Sequence, residues 1–172
     1  MDLLKRFAQI TTFVFDVDGV LTDGTLLLLD NGLQARKMNI KDGLALQIAL
    51  RNYRVVIISG SYSEPVLKRL QYLGLKDIYL GQKNKVAVLQ EYCATHGIAL
   101  NTVLYMGDDL PDMGVLKSVG LACCPADAVP EVKALCHYIA AKNGGDACVR
   151  EVIEKVAKVQ GHWQAQTDLV SQ

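Results

Sequence analysis

The sequence predicts an α/β fold, a Rossmann-like parallel sheet with helices on both faces and a protruding β-hairpin. Three observations predict it. Short β-branched or apolar runs recur along the chain, each followed by a longer stretch of helical period. These runs end in Gly, Asp or Ser, as strands do when they stop at a ligand crevice. The 172 residues, 51% hydrophobic and 21% charged, can fill one core and leave little room for a second domain.

In chain order, the strands are expected at 11–17, 55–59, 78–80, 103–106, 120–124 and 138–141. Helices are expected at 43–52, 63–73, 84–96, 109–119, 128–135 and from 146 to about 160. Strand–helix alternation implies right-handed crossovers and a sheet covered on both faces. Local signals agree. Ser63 can cap a helix whose first turn holds Pro65, Pro111 follows Asp109 in the same way, and Gly74 and Gly97 stand where helices should stop.

Residues 25–39 break the alternation and read as a β-hairpin, with Asn31-Gly32 supplying the positive φ angles of a tight turn. The first arm, Leu26 to Leu29, is apolar at every position, although a surface hairpin normally alternates. Both faces must therefore be covered, either by the same domain or by a symmetry mate in a homo-oligomer.

Eighteen Lys plus Arg against eighteen Asp plus Glu remove the electrostatic footprint of a nucleic-acid or membrane-surface binder. No stretch approaches the roughly 18 apolar residues of a membrane span, and Met1 to Arg6 lack a secretion signal, so the expected location is the cytoplasm. The five cysteines include no CxxC pair, and Cys123 and Cys124 would point to opposite faces of a strand. They read as buried thiols. His96, His137 and His162 have no spacing that suggests a metal site or a triad.

The chemistry gathers at the strand ends. Asp16 and Asp18 stand two apart in an extended segment, on the same side, where two bare anions repel. Mg²⁺ removes that penalty, because it takes near-octahedral oxygen ligands from one or two carboxylates, waters and a substrate phosphate, and Asp108 is the second carboxylate on offer. Asp109 and Asp112 can hold metal-bound waters. A calcium loop does not fit, since Val20 replaces the third oxygen ligand and Leu27 stands where the bidentate Glu should be. A carboxylate facing a phosphoryl group permits aspartyl-phosphate chemistry, with Asp18 giving a proton to the leaving alcohol and later taking one from water. Ser59, the Gly60 amide and Lys85 would neutralise the phosphoryl oxygens. A two-component receiver module does not match this order, because its acidic pair follows the first strand and its acceptor the third, whereas here the third ends at Leu80-Gly81.

The segment from Phe13 to Thr22, Ile57-Ile58-Ser59-Gly60, Lys85 and Gly107-Asp108-Asp109-x-x-Asp112 resemble, in order, the four motifs of the haloacid dehalogenase superfamily of phosphatases. Within it, the chain is similar nearly end to end to the octulosonate phosphatase subfamily. That similarity includes the hairpin, Asn39 to Gly43, Gly81-Gln82-x-Asn84-Lys85 and Gly144-Gly145-x-x-x-x-Arg150-Glu151. The resemblance implies Asp16 as nucleophile, Asp18 as acid/base, Mg²⁺ held by Asp16, Asp108 and the Asp18 carbonyl, and phosphate contacts from Ser59 and Lys85. It further implies a single domain over 1–172 with no separate cap and a homotetramer in which hairpins form a central barrel and neighbouring subunits close each site.

Substrate contacts are implied from Asn39, Ile40, Lys41, Asp42, Gly43 and Arg69, with Arg150 a candidate on the C-terminal segment. The implied substrate is 3-deoxy-D-manno-octulosonate 8-phosphate, a precursor in lipopolysaccharide synthesis. Ser61 and Gln47 stand where the subfamily carries arginines, which weakens recognition of a sugar carboxylate. A nonulosonate 9-phosphate or a broader sugar-phosphate range is the alternative substrate, and a catalytically inactive regulatory domain the alternative class.

Overall fold

A computed structural model describes residues 2–163. The residues beyond Trp163, most of a C-terminal tail that the sequence sets at about 161–172, lie outside the described residues. Six strands form one parallel sheet: β1 (Thr12–Phe15), β4 (Arg54–Ile58), β5 (Asp77–Tyr79), β6 (Val103–Met106), β7 (Leu121–Cys124) and β8 (Tyr138–Ile139). Their spatial order is β5-β4-β1-β6-β7-β8, with Phe15 beside Ile57 on one side and Met106 on the other. The order reverses at β1, so the crevice beyond its carboxyl end is the topological switch point where ligands bind in such sheets.

Side-chain alternation divides two apolar cores. Phe13, Phe15, Ile57 and Met106 face one, with α2 (Ile40–Ala49), α3 (Glu64–Tyr72) and α7 (Cys148–Val159). Val14, Val56, Ile58 and Tyr105 face the other, with α4 (Lys85–His96) and α5 (Met113–Leu116). Cys123 joins the first core and Cys124 the second. All five thiols are free, and four are buried. His137 accepts from the Ala122 amide at 2.9 Å and His162 meets the Tyr53 hydroxyl at 2.8 Å, so both pack rather than ligate.

Several boundaries differ from expectation. An unforeseen helix, α1 (Leu3–Gln9), is capped by Asp2 and buries Phe7. The first strand stops at Phe15, because Val17–Leu21 coil into a π-type turn with Gly19 at φ 78°. Helix α2 starts at Ile40 because Asn39 caps it, accepting from the Lys41 amide at 2.9 Å. Ser63 occupies the N-cap position of α3 without a side-chain capping bond. The expected 109–119 helix splits into a 3₁₀ turn (Leu110–Asp112) and α5, and 128–135 shortens to α6 (Pro130–Lys133). The last helix begins at Cys148, after Ala147 at φ 70°.

The hairpin pairs β2 (Leu27–Leu28) with antiparallel β3 (Gln34–Ala35). Only Gly32 of the Asn31-Gly32 pair has positive φ, and the Leu29 amide donates to the Leu33 carbonyl, a three-residue loop rather than a two-residue turn. Leu27 is 64% and Leu28 71% exposed, so the hairpin does not fold back onto its own sheet. Among the described residues, no helix is long and apolar enough to cross a membrane.

Candidate active site

The ends of three strands, β1, β4 and β6, and the start of α4 converge on a pocket of about 280 Å³ lined by Asp16, Asp18, Ser59, Gly60, Lys85, Asp108, Asp109 and Asp112. Asp16 continues β1, its amide donating to the Met106 carbonyl at 3.1 Å. Its carboxylate is buried, with Oδ1 accepting from the Val17 amide at 2.7 Å and Oδ2 from Lys85 Nζ at 2.6 Å. Lys85 is the first residue of α4, and Nζ also donates to Asp112 Oδ1 at 2.7 Å. Burial would lower the Lys85 pKa, but Asp16 and Asp112 outweigh it and hold the ammonium charged.

Asp112 is spent on the protein itself. Oδ1 accepts from Lys85 and, at 2.5 Å, from the buried Tyr105 hydroxyl, while Oδ2 accepts from the amides of Asp108 at 3.0 Å and Asp109 at 3.4 Å. Asp109 caps the 3₁₀ turn and forms a capping box with Asp112. Ser59, buried at the end of β4, lies with its hydroxyl 3.5 Å from that of Ser61. The catalytic and phosphate-binding residues expected from sequence are thus brought together.

Two glycines make this approach feasible. A methyl group on Gly19 would sit 1.9 Å from Asp108 Oδ2, and Gly19 also holds a left-handed φ. A methyl group on Gly144 would sit 2.0 Å from the Gly19 carbonyl oxygen, so the 144–145 loop braces the π-type turn from beneath.

The donor set fits a hard divalent cation. Asp16, Asp108 and Asp112 each bring one carboxylate oxygen to within 4.8 Å of the others. Burial, then repulsion from Asp112, pushes Asp16 up to about 6; burial, then Asp112 and Asp16, pushes Asp108 up to about 7. Both shifts come first from burial and then from the neighbouring carboxylates, whose repulsion a bound cation would offset. Asp112 accepts from four donors and Asp16 from two, and either could hold the cation together with Asp108.

Asp18 projects to the other side of the pocket and is half-buried. Arg36 Nε donates to Oδ1 at 2.7 Å, and Oδ2 accepts from Arg36 Nη2 at 3.4 Å and from the Ser61 hydroxyl at 2.5 Å. Burial would raise its pKa, but the bonds from Arg36 and Ser61 prevail and hold it below the usual range. Arg36 and Tyr105 were not singled out in the sequence: one depends on where a hairpin lands, the other lies in a run that reads as plain core.

The residues expected to contact substrate do not line this pocket within one chain. Ile40 is 68% exposed, and Lys41 lines a separate cleft of about 390 Å³ with Lys142 and Arg150. Arg69 lines a groove of about 630 Å³ between the hairpin and α3, and its Nη2 lies beside Gly43. Asn39 caps α2 and donates to the Gly145 carbonyl at 3.3 Å. Asp42 points inward, with Oδ1 accepting from the Arg150 amide at 2.7 Å, so its carboxylate ties α2 to α7.

Residues 70–153 match the haloacid dehalogenase-like hydrolase family. The 3-deoxy-D-manno-octulosonate 8-phosphate phosphatase of Escherichia coli K12 is 35% identical over 161 residues, covering 93% of this chain and 86% of that protein. This chain belongs to the haloacid dehalogenase-like hydrolases. The hydrolase superimposes on the 3-deoxy-D-manno-octulosonate 8-phosphate phosphatase of Yersinia pestis with a TM-score of 0.90 at 32% identity, over 93% of this chain and 87% of that one. It superimposes on the Moraxella catarrhalis enzyme, solved with magnesium, phosphate and KDO, with a TM-score of 0.88 at 33% identity, over 92% and 91%. The cobalt-bound Haemophilus influenzae phosphatase gives 0.86 at 29% identity, over 90% and 88%.

Proposed function

We propose that this hydrolase is a Mg²⁺-dependent phosphatase of 3-deoxy-D-manno-octulosonate 8-phosphate, working in the cytoplasm on a precursor of lipopolysaccharide. The observation that carries the reading is the buried Asp16–Lys85–Asp112 chain beside Asp108 and Asp18, in a chain 35% identical to such a phosphatase. A bound Mg²⁺, held by Asp16, Asp108 and the Asp18 carbonyl, would neutralise phosphoryl charge and align the phosphoryl group. Asp16 attacks phosphorus: the Asp16 O–P bond forms, the P–O bond to the sugar breaks, and Asp18, once it has taken a proton from solvent against the pull of Arg36 and Ser61, gives that proton to the leaving oxygen. Asp18 then takes a proton from water as that water attacks the phosphoaspartate, releasing phosphate and restoring Asp16. Ser59, the Gly60 amide and Lys85 cradle the phosphoryl oxygens.

The rest of the substrate pocket is assigned to a homotetramer. The exposed leucine arm is the surface that association would bury, and Lys41 and Arg69, which do not line the pocket of their own chain, would serve a neighbour's. Ile40 and Gly43 lie on the same entry to α2, and Arg150 flanks it across the 390 Å³ cleft.

The test is Mg²⁺-dependent phosphate release from a panel containing the octulosonate 8-phosphate, nonulosonate 9-phosphates and neutral sugar phosphates. Preference for the octulosonate supports the reading. Preference for a nonulosonate reassigns the substrate and makes Ser61 and Gln47 the marks of a changed pocket. Release from none of them overturns the reading in favour of a regulatory domain.

A further inference from the structure

Arg36 is the one residue of the hairpin that reaches the catalytic carboxylates, and it does so from a side chain only 7% exposed. Its guanidinium grips Asp18 through both Nε and Nη2, and Nη2 lies 3.5 Å from the Ser61 hydroxyl, which itself donates to Asp18. Each Asp18 oxygen therefore has an Arg36 donor, and the carboxyl plane is fixed by a bidentate pair. Without it, the Ser61 hydroxyl would hold only one of the two Asp18 oxygens. Asp18 stands in non-helical backbone next to Gly19, and its carboxylate is 37% exposed at the pocket mouth. The neighbouring hairpin residues are turned outward, Lys37 pairing with Asp23 at 3.2 Å with its side chain 77% exposed. Burying a guanidinium is costly unless its geometry is well matched, and the match here is to the proton-transferring group.

We propose that Arg36, assisted by Ser61, is the positioning residue for Asp18, so that the hairpin sets the aim of the acid/base. The proposal rests on the phosphatase reading above. Transfer of the phosphoryl group from a sugar alcohol to Asp16 breaks the P–O bond as a proton that Asp18 has first taken from solvent, against the pull of Arg36 and Ser61, moves to the alkoxide oxygen. The same transfer from p-nitrophenyl phosphate releases a stable phenolate that needs no proton. A displaced Asp18 therefore slows the first release and largely spares the second, a pattern that a mere anchor for the hairpin would not give.

The experiment compares first-turnover release of the alcohol from the preferred sugar phosphate with the p-nitrophenol burst, in the full chain with Mg²⁺. Arg36→Ala should slow alcohol release by about tenfold or more, against at most about threefold for the burst, with KM nearly constant. Arg36→Lys should restore part of the loss. In an Asp18→Asn background, Arg36→Ala should cost almost nothing further, because both act through one group. Should the alanine variant fail to fold, Arg36→Gln is read in the same way.

Equal losses on both substrates, additive losses in the double variant, a pure rise in KM, or faster turnover would each overturn the role of Arg36 while leaving the phosphatase reading intact. A wild type that releases phosphate from no substrate overturns both.

Discussion

The Tyr105 hydroxyl donates to Asp112 Oδ1 across 2.5 Å beneath the pocket, in a residue with no exposed surface. Tyr105 thus completes the donor set of a carboxylate that holds Lys85, which in turn holds Asp16. Removing the hydroxyl leaves a buried charge short of a donor, at a cost of about 1–3 kcal/mol. Tyr105→Phe should lower the urea midpoint accordingly and reduce turnover through a looser Lys85. Unchanged stability and turnover would show that Lys85 is positioned without it.

Asp108 gives a prediction in which stability and activity move oppositely. Its folded pKa is raised to about 7, so the protonated form is favoured by folding and that contribution is lost as pH rises through 7. At pH 8 without metal, Asp108→Asn should melt higher than the wild type. Mg²⁺ should raise the melting temperature of the wild type by mass action and leave the variant nearly unmoved and inactive. An equal Mg²⁺ response in both proteins would remove Asp108 from the metal site.

Asp42 behaves similarly, away from the chemistry. Burial, opposed by amide bonds from Arg150 and Ala147, raises its pKa to about 6, and Oδ2 has no hydrogen-bond partner. Its protonated form therefore stabilises the fold below pH 4, and the benefit disappears as pH rises through 6. Asp42→Asn, which keeps the Oδ1 acceptor, should gain up to about 3 kcal/mol over the wild type at pH 8 and nothing near pH 4. Urea unfolding at the two pH values checks this. A pH-independent difference would contradict it.

Gly19 carries steric demands at both levels. Gly19→Ala places a methyl group in the space of the Asp108 carboxylate at a left-handed φ, and should both destabilise the chain and abolish phosphate release. A folded, active alanine variant would mean that the π-type turn can rearrange.

What the sequence made legible was the chemistry fixed by strand ends. Asp16, Ser59, Lys85 and Asp108 follow β-branched runs in a parallel order, and parallel strands deliver their carboxyl ends to one edge. Contacts that depend on where a projecting loop lands were not legible: nothing between residues 18 and 36 indicates that Arg36 returns to Asp18. Tyr105 was hidden because a tyrosine in a buried run reads as apolar bulk. Boundaries slipped where a cap outweighed propensity. Gly43 suggested a helix start, yet Asn39 at the N-cap carries helix α2 through it.

The proposed mechanism turns on Asp16 as the phosphoryl acceptor. The most direct measurement is Mg²⁺-dependent phosphate release by the wild type and Asp16→Asn on the same preferred sugar phosphate, after thermal melts show both folded. Loss of all measurable turnover in Asp16→Asn is the predicted result. A folded Asp16→Asn that keeps more than a few per cent of the wild-type rate would contradict the assignment.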